Sequence, residues 1–141
     1  MTTVLRFLLD TGTVSAPITK QPNRKVIRRL DQHGLYCAIA APVWHELIYC
    51  CERLPAGKRK IALYDYLHTV VQPSFPVLAY EEVAAAWHGT ERARLEKRGR
   101  PLPCVDGQIA AIALQHDLTL VTTNPKDFTN FEGLDVLDWT R

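Results

Sequence analysis

The sequence predicts an α/β fold, a three-layer α/β/α sandwich whose central parallel sheet has about four to five strands. Short apolar runs, typical of strands buried on both faces, alternate along the chain with longer segments of helical periodicity. The 141 residues, 47% of them hydrophobic, suffice for one hydrophobic core. Residues 1–141 are therefore predicted to form a single domain.

The first half of the chain has strand and helix signals separated by clear stop signals. Residues 4–9 form an apolar run that ends at Asp10-Thr11-Gly12, which predicts a strand and a turn. Gly34 ends one helical pattern, and Pro42 suits the first turn of another. The predicted elements after the first strand are a helix over 23–33, a strand over 36–40, a helix from 42 to about 53, and a helix over 58–71.

The second half repeats this alternation. Pro73, Ser74 and Pro76 predict a turn, and the residues 105–116 are so rich in Ala, Ile and Leu that their helix is expected to be almost wholly buried. The predicted elements are a strand over 75–78, helices over 81–97 and 105–116, a strand over 118–122, and a last short strand at 136–137.

Four acidic residues follow predicted strands. Asp10 comes directly after the first strand, and Glu46 lies about one turn into the helix after the second. Asp106 opens the buried helix, and Asp127 follows the 118–122 strand by a few residues. Because ligands of such sheets bind outside the carboxyl ends of the strands, these carboxylates are predicted to meet at one edge.

Clustered carboxylates repel one another and stay ionised only beside a cation. Mg²⁺ prefers oxygen ligands and combines one or two carboxylates with water and phosphate oxygens. We therefore expect Asp10, Glu46 and Asp106 to hold Mg²⁺, or Mn²⁺ as an alternative, directly or through water. Asp127 is expected to bind a second ion or to orient the attacking water. The cluster predicts phosphodiester hydrolysis.

Each acid also has a purely structural interpretation. Asp106 suits a helix N-cap, and Glu46 suits the first turn of a helix, where the dipole favours negative charge. Asp10 and Asp127 are both common in turns. Taken singly, these interpretations stay open, and only the shared strand-end placement favours a site.

Six segments carry a family resemblance through their order and spacing. They are FLLDT at 7–11, APVWHEL at 41–47, GRPLP at 99–103, DGQIAAIA at 106–113, LVTTNPKDF at 120–128, and the tail at 131–139. Together they resemble the PIN-domain family, and within it the VapC-like toxins of type II toxin–antitoxin systems. The resemblance extends over essentially the whole chain.

The resemblance implies a metal-dependent endoribonuclease with Asp10, Glu46 and Asp106 as its acidic core. It places Asp127 as a fourth, more variable acid, and Asn124 where relatives carry Asn or Asp. It also implies a homodimer, and inhibition by a cognate VapB-like antitoxin whose tail fills the acidic groove.

Gly12 departs from the family pattern, because relatives usually carry Asn at this place in an Asp-Thr-Asn run. The lost side chain removes a hydrogen bond that would position Asp10. Gly12 therefore leaves open the alternative of a catalytically weak PIN-fold module that binds RNA or an antitoxin. Thr11 and Thr122 are expected to orient the carboxylates through their hydroxyl groups, with turn backbone as their other possible partner.

Arg98 and Arg100 lie beside the loop that precedes Asp106, and we expect them to guide the RNA backbone. The chain has no apolar run of about 18 residues and no N-terminal pattern of a secretion signal. We therefore expect a cytoplasmic protein without a membrane partner.

Three other enzyme classes share fragments of these motifs. Asp10-Thr11-Gly12-Thr13 spells the aspartic-protease signature, but that chemistry needs two paired Asp residues in a nearly all-β fold, and this chain has long helical segments. His45-Glu46 begins a zinc-protease H-E-x-x-H motif, yet Tyr49 stands where the second His is required. A phosphatase with a second Asp two residues after its nucleophile is excluded by Gly12.

Overall fold

The computed structural model of the chain describes residues 4–141 and contains a five-stranded sheet in the order β3-β2-β1-β4-β5, with every pairing parallel. The strands are β1 (Phe7–Leu9), β2 (Cys37–Ala40), β3 (Val77–Leu78), β4 (Thr119–Val121) and β5 (Val136–Leu137). All residues of β1 and β2 are buried, which explains why these strands are continuous apolar runs.

Helices flank this sheet, so the predicted three-layer fold is confirmed. They are α1 (Thr11–Ser15), α2 (Arg24–His33), α3 (Ala41–Glu52), α4 (Lys58–Tyr66), α5 (Gln72–Ser74), α6 (Glu82–Lys97) and α7 (Cys104–Gln115), with 3-10 turns at Ala16–Ile18, Gly34–Tyr36 and Pro125–Phe128. Among the helices of residues 4–141, none combines the length and the apolar character needed to span a bilayer.

The hydrophobic core lies between the sheet and its covering helices. Leu8, Ile39 and Leu120 on the three central strands are completely buried. The prediction that α7 is almost wholly buried holds only for its middle, since Ile109 to Ala113 lie in the core while Val105 is 47% exposed and Leu114 is only partly buried. Small alanine side chains let α7 pack closely against its neighbours, and this packing holds the beginning of α7 at the carboxyl edge of the sheet.

Several elements differ from the predictions. The strand predicted over 75–78 is limited to β3 (Val77–Leu78), and Pro73 and Ser74, predicted to form a turn, lie in α5. The first strand begins at Phe7 because β2 and β4 both begin opposite that residue, and Val4 is 75% exposed. The predicted turn after β1 is instead the short helix α1. The predicted helix over 58–71 ends at Tyr66 and continues as a π-helical turn (Leu67–Val71) into α5, where Pro73 lacks a backbone donor.

Candidate active site

The four predicted acids line one pocket of about 330 Å³ at the carboxyl edge of the sheet. Its polar lining consists of Asp10, Glu46, Asp106, Asp127, Thr11 and Asn124; Gly12 and the apolar residues Pro42, Val105, Ile109 and Phe128 complete the wall. We call this cavity the acidic pocket. These acids come from the residue between β1 and α1, from α3, from α7 and from the Pro125–Phe128 turn, and they line one pocket although they are far apart in the chain.

Asp10 is the most rigidly held of these acids. It is 9% exposed and caps α1: its Oδ1 accepts a 3.0 Å hydrogen bond from the Thr13 N–H, and its Oδ2 accepts a hydrogen bond from the Thr122 hydroxyl. Its own N–H donates to the Val121 carbonyl at 3.0 Å. Burial raises the pKa of Asp10, although the bonds from Thr122 and Thr13 act in the opposite direction. A cation in the pocket would favour the ionised form.

Thr122 links two of the predicted site residues. Its side chain is completely buried, and its hydroxyl accepts a 3.0 Å hydrogen bond from the Asn124 N–H while it donates to Asp10. Asn124 therefore supports Asp10 through its backbone as well as lining the pocket. Thr11 lines the pocket, and its carbonyl accepts a 2.7 Å bond from the Ser15 hydroxyl.

Sequence analysis missed Thr13. This buried residue supplies the backbone N–H that Asp10 caps, and its hydroxyl donates to the Val121 carbonyl at 3.2 Å. It thereby ties α1 to β4 directly beneath the acidic pocket. The spacing of Asp10 and Thr13 is that of an N-cap and the third helical residue, and this was the available signal.

Asp106 and Asp127 are close enough for their charges to repel each other. Burial raises the pKa of Asp106, and the charges of Asp127 and then Asp10 raise it further, so the three carboxylates lie within mutual influence. The N-cap of α7 is Pro103, and Asp106 lies in the first turn. The N-cap interpretation of Asp106 is therefore wrong. Asp127 is exposed on the Pro125–Phe128 turn, at the rim of the pocket.

Glu46 approaches the acidic pocket from α3. Because this helix begins at Ala41, Glu46 lies in its second turn, where the helix dipole does little for a carboxylate. The side chain is exposed, and its Oε1 accepts a weak 3.7 Å contact from the Cys50 thiol. The dipole therefore does not account for Glu46 at this position.

The donor set of the acidic pocket fits a hard divalent cation. Within residues 4–141, no three carboxylate, imidazole or thiol groups stand close enough to share one ion. A closed site of the structural-zinc type needs four such ligands. Mg²⁺ instead keeps several waters and binds through one or two carboxylates, and the pocket has room for those waters.

Residues 7–134 match the family model described as PIN domain. The chain belongs to the PIN-domain family. It is 34% identical over 134 residues to Toxin FitB of Neisseria gonorrhoeae, covering 92% of this chain and 93% of that protein. It is 31% identical over 137 residues to the tRNA(fMet)-specific endonuclease VapC of Shigella flexneri, covering 97% and 100%. The predicted family resemblance is confirmed.

The fold of this PIN domain also resembles a solved complex. The crystal structure of DNA-bound VapBC from Salmonella typhimurium has a TM-score of 0.82 and 30% identity, and the match covers 96% of this chain and 99% of that one. The chain therefore shares the fold of the matched chain in that VapBC complex.

Because Gly12 has no side chain, the Thr123 side chain can lie close to the backbone at this position. A Cβ atom at position 12 would lie 2.6 Å from Thr123 Oγ1 and 3.7 Å from Asp10 Oδ1. Any larger residue there requires Thr123 to move. The place next to Asp10 is thus occupied by a hydroxyl from the loop after β4.

Arg98 and Arg100 are both exposed and are not among the residues that line the acidic pocket. Arg98 caps the end of α6, and the Arg100 N–H donates to the Leu95 carbonyl at 2.8 Å. Their role in guiding RNA stays a prediction.

Proposed function

We propose that this PIN domain is a metal-dependent endoribonuclease toxin that cleaves RNA phosphodiester bonds and is neutralised by a cognate antitoxin. The observation that carries the proposal is the convergence of Asp10, Glu46, Asp106 and Asp127 on one pocket at the carboxyl edge of a parallel sheet. A relative named as a tRNA-specific endonuclease supports RNA as the substrate class. The likeness to FitB, named as a toxin, and to a VapBC complex supports the toxin role and the antitoxin partner.

Asp10, Glu46 and Asp106 would hold Mg²⁺, or Mn²⁺ as the alternative, directly or through water. Because no three such groups within residues 4–141 are close enough to share one ion directly, at least one of the three acids would act through bound water. When bound, the ion supplies a nucleophile at neutral pH and neutralises charge that develops on the phosphate. Asp127, at the exposed rim, would orient the attacking water or hold a second ion. Arg98 and Arg100 would guide the RNA backbone outside the pocket.

The chain's own hydrogen bonds prepare Asp10 for this task. Thr13 and Thr122 each donate to a different carboxylate oxygen of Asp10. Such supporting donors fix the orientation of a metal-binding carboxylate before the metal arrives. The carboxylate therefore loses little conformational freedom when a ligand binds.

A non-catalytic PIN module that binds RNA or an antitoxin is the second candidate, and Gly12 favours it. Relatives usually carry Asn at this position, whereas here the Thr123 hydroxyl fills the space beside Asp10. Cleavage of RNA by the purified chain separates the two functions, since the binding module would retain RNA without producing fragments.

The deciding experiment incubates the purified chain with end-labelled tRNA in Mg²⁺ or in excess EDTA. We expect cleavage in Mg²⁺ and none in EDTA. Asp106→Asn is expected to lose more activity than the roughly 10- to 100-fold typical of residues that only support a metal ligand. Asp65→Asn, an exposed acid on α4, is the matched control. Full activity in EDTA or in Asp106→Asn would contradict the proposal.

We also infer that the protein is a homodimer, because the family resemblance implies one. We infer a cytoplasmic location because the protein would encounter its RNA substrate there. Analytical ultracentrifugation of the purified chain tests the dimer. Co-purification with the product of a short neighbouring reading frame tests the antitoxin, and a chain that never associates with that product would contradict this part of the proposal.

A further inference from the structure

A second cavity of about 370 Å³ lies beside the acidic pocket. The two cavities share Pro42, Glu46 and Val105 as their common wall. The remaining residues of the second cavity are Ala41, His45, Tyr80 and Gln108. We call it the side pocket. The side pocket thus adjoins the acidic pocket along this shared wall.

The side pocket extends along the same edge of the sheet. Tyr80 follows the end of β3, and His45 lies on the helix that follows β2. Asp10 and Asp127 follow β1 and β4, which are the next strands in the sheet. A strand of RNA whose phosphate enters the acidic pocket would therefore meet the side pocket with a neighbouring nucleotide.

Tyr80 is held in a defined position. Its hydroxyl lies 3.1 Å from His88 Nδ1, and the two rings are nearly perpendicular at 75°. His88 is only 6% exposed, and its Nε2 packs so tightly on α7 that a Cβ at Gly107 would lie 2.0 Å away. Burial, and then the charge of Arg92, lower the pKa of His88, which favours its neutral form. Tyr80 is thus a rigid platform, which lowers the entropy cost of binding.

The chemistry of the side pocket suits a flat neutral group. Its walls are mainly apolar, with one aromatic ring, and the Gln108 amide offers both a donor and an acceptor. Glu46 at the shared wall and the neighbouring carboxylates disfavour an anion such as a second phosphate. Unstacked RNA bases are bound by aromatic stacking combined with hydrogen bonds to their edges. A nucleobase has the required shape, polarity and charge.

We propose that the side pocket binds the base of a nucleotide next to the scissile phosphate, with Tyr80 as its stacking platform and Gln108 and His45 as the groups that determine which base is preferred. This inference rests on the proposed ribonuclease function. It assigns substrate specificity to residues outside the acidic pocket.

The experiment digests a pool of random-sequence RNA with wild-type protein and with the variants Gln108→Leu, Tyr80→Leu and Tyr80→Trp, and sequences the fragment ends. We expect the wild type to prefer one base at a fixed position beside the cut, and Gln108→Leu to lose that preference. Tyr80→Leu should raise KM roughly 5- to 150-fold, the range for loss of one stacked base. Tyr80→Trp retains a stacking face and should restore most of the affinity.

Matched controls are Gln32→Leu on α2 and the half-exposed Tyr64→Leu on α4, which lie outside both pockets. Thermal unfolding of every variant checks the fold, and if Tyr80→Leu does not fold, the base preference of Gln108→Leu decides. An unchanged base preference in Gln108→Leu together with an unchanged KM in Tyr80→Leu would overturn the inference while leaving the ribonuclease intact. Loss of antitoxin co-purification with unchanged RNA cleavage would assign the pocket to the protein partner instead. A wild type that cuts no RNA would overturn both proposals.

Discussion

Replacing Asp106 with asparagine tests the electrostatics of the acidic pocket before any metal binds. Burial and the charges of Asp127 and Asp10 raise the pKa of Asp106 above its ordinary value of 3.8. A carboxyl group with a higher pKa in the folded state binds more protons there than in the unfolded chain. The stability of the wild type therefore falls as pH rises from about 3.8 through the raised pKa, and the loss is complete above that pKa. Asp106→Asn removes this loss, so we expect the variant to be the more stable protein at neutral pH in EDTA.

The expected gain in stability of Asp106→Asn is the balance of opposing contributions to the free energy of unfolding. Burial of Asp106 is the largest unfavourable contribution, and the charges of exposed Asp127 and buried Asp10 add to it. Repulsion between two neighbouring carboxylates near the surface is worth about 0.2–1 kcal/mol. The dipole of α7 favours a negative charge in its first turn by about 0.3–1 kcal/mol. Because the pKa of Asp106 is raised, the unfavourable contributions are the larger. The net gain in Asp106→Asn is on the order of 1 kcal/mol, which shifts Tm upward by about 3 °C for a chain of 141 residues.

Thermal unfolding followed by circular dichroism between pH 4 and pH 8 measures this difference. In EDTA we expect the Tm advantage of Asp106→Asn to shrink as pH falls toward 3.8, because the wild-type carboxyl is then protonated in both states. Added Mg²⁺ should raise the Tm of the wild type and act less on the variant. Asp65→Asn should behave like the wild type throughout. A variant less stable than the wild type at pH 7 in EDTA, or a difference that does not change with pH, would refute this reasoning.

Two further substitutions test the contacts around the pocket. Thr122→Val removes the hydroxyl that donates to buried Asp10, so we expect the free energy of urea unfolding at pH 7 to fall by about 1–3 kcal/mol. The control is Thr119→Val at the start of β4, the strand that ends directly before Thr122. A loss no greater than that of the control would contradict the prediction. Gly12→Ala gains about 1 kcal/mol of helix propensity only when Thr123 gives way. Together with Thr123→Ala it should therefore show a coupling free energy of at least about 0.5 kcal/mol, and strict additivity would count against the contact.

Most strands and helices could be predicted from the local sequence, because the order of apolar and polar residues reflects burial and helical or strand periodicity. The strands at 37–40 and 119–121 and the buried helix α7 lie where the sequence predicts them. The short helix α1 was not predicted, because it forms around one capping contact, from Thr13 to Asp10, rather than around a repeating apolar face. The π-helical geometry at Leu67–Val71 could not be predicted either, because the spacing of apolar residues is the same before and after this segment.

The sequence by itself determined the α/β class, the identity of the four acids and the family to which the chain belongs. Strand-end placement of Asp10, Glu46, Asp106 and Asp127 requires only the rule that parallel strands present their carboxyl ends at one edge. Only the tertiary structure decided which groups surround these acids. The bond from Thr122 to Asp10, the Thr123 hydroxyl at Gly12 and the side pocket beside Glu46 all join residues distant in the chain. Such contacts depend on helix packing and strand register, which have no signature in local residue spacing.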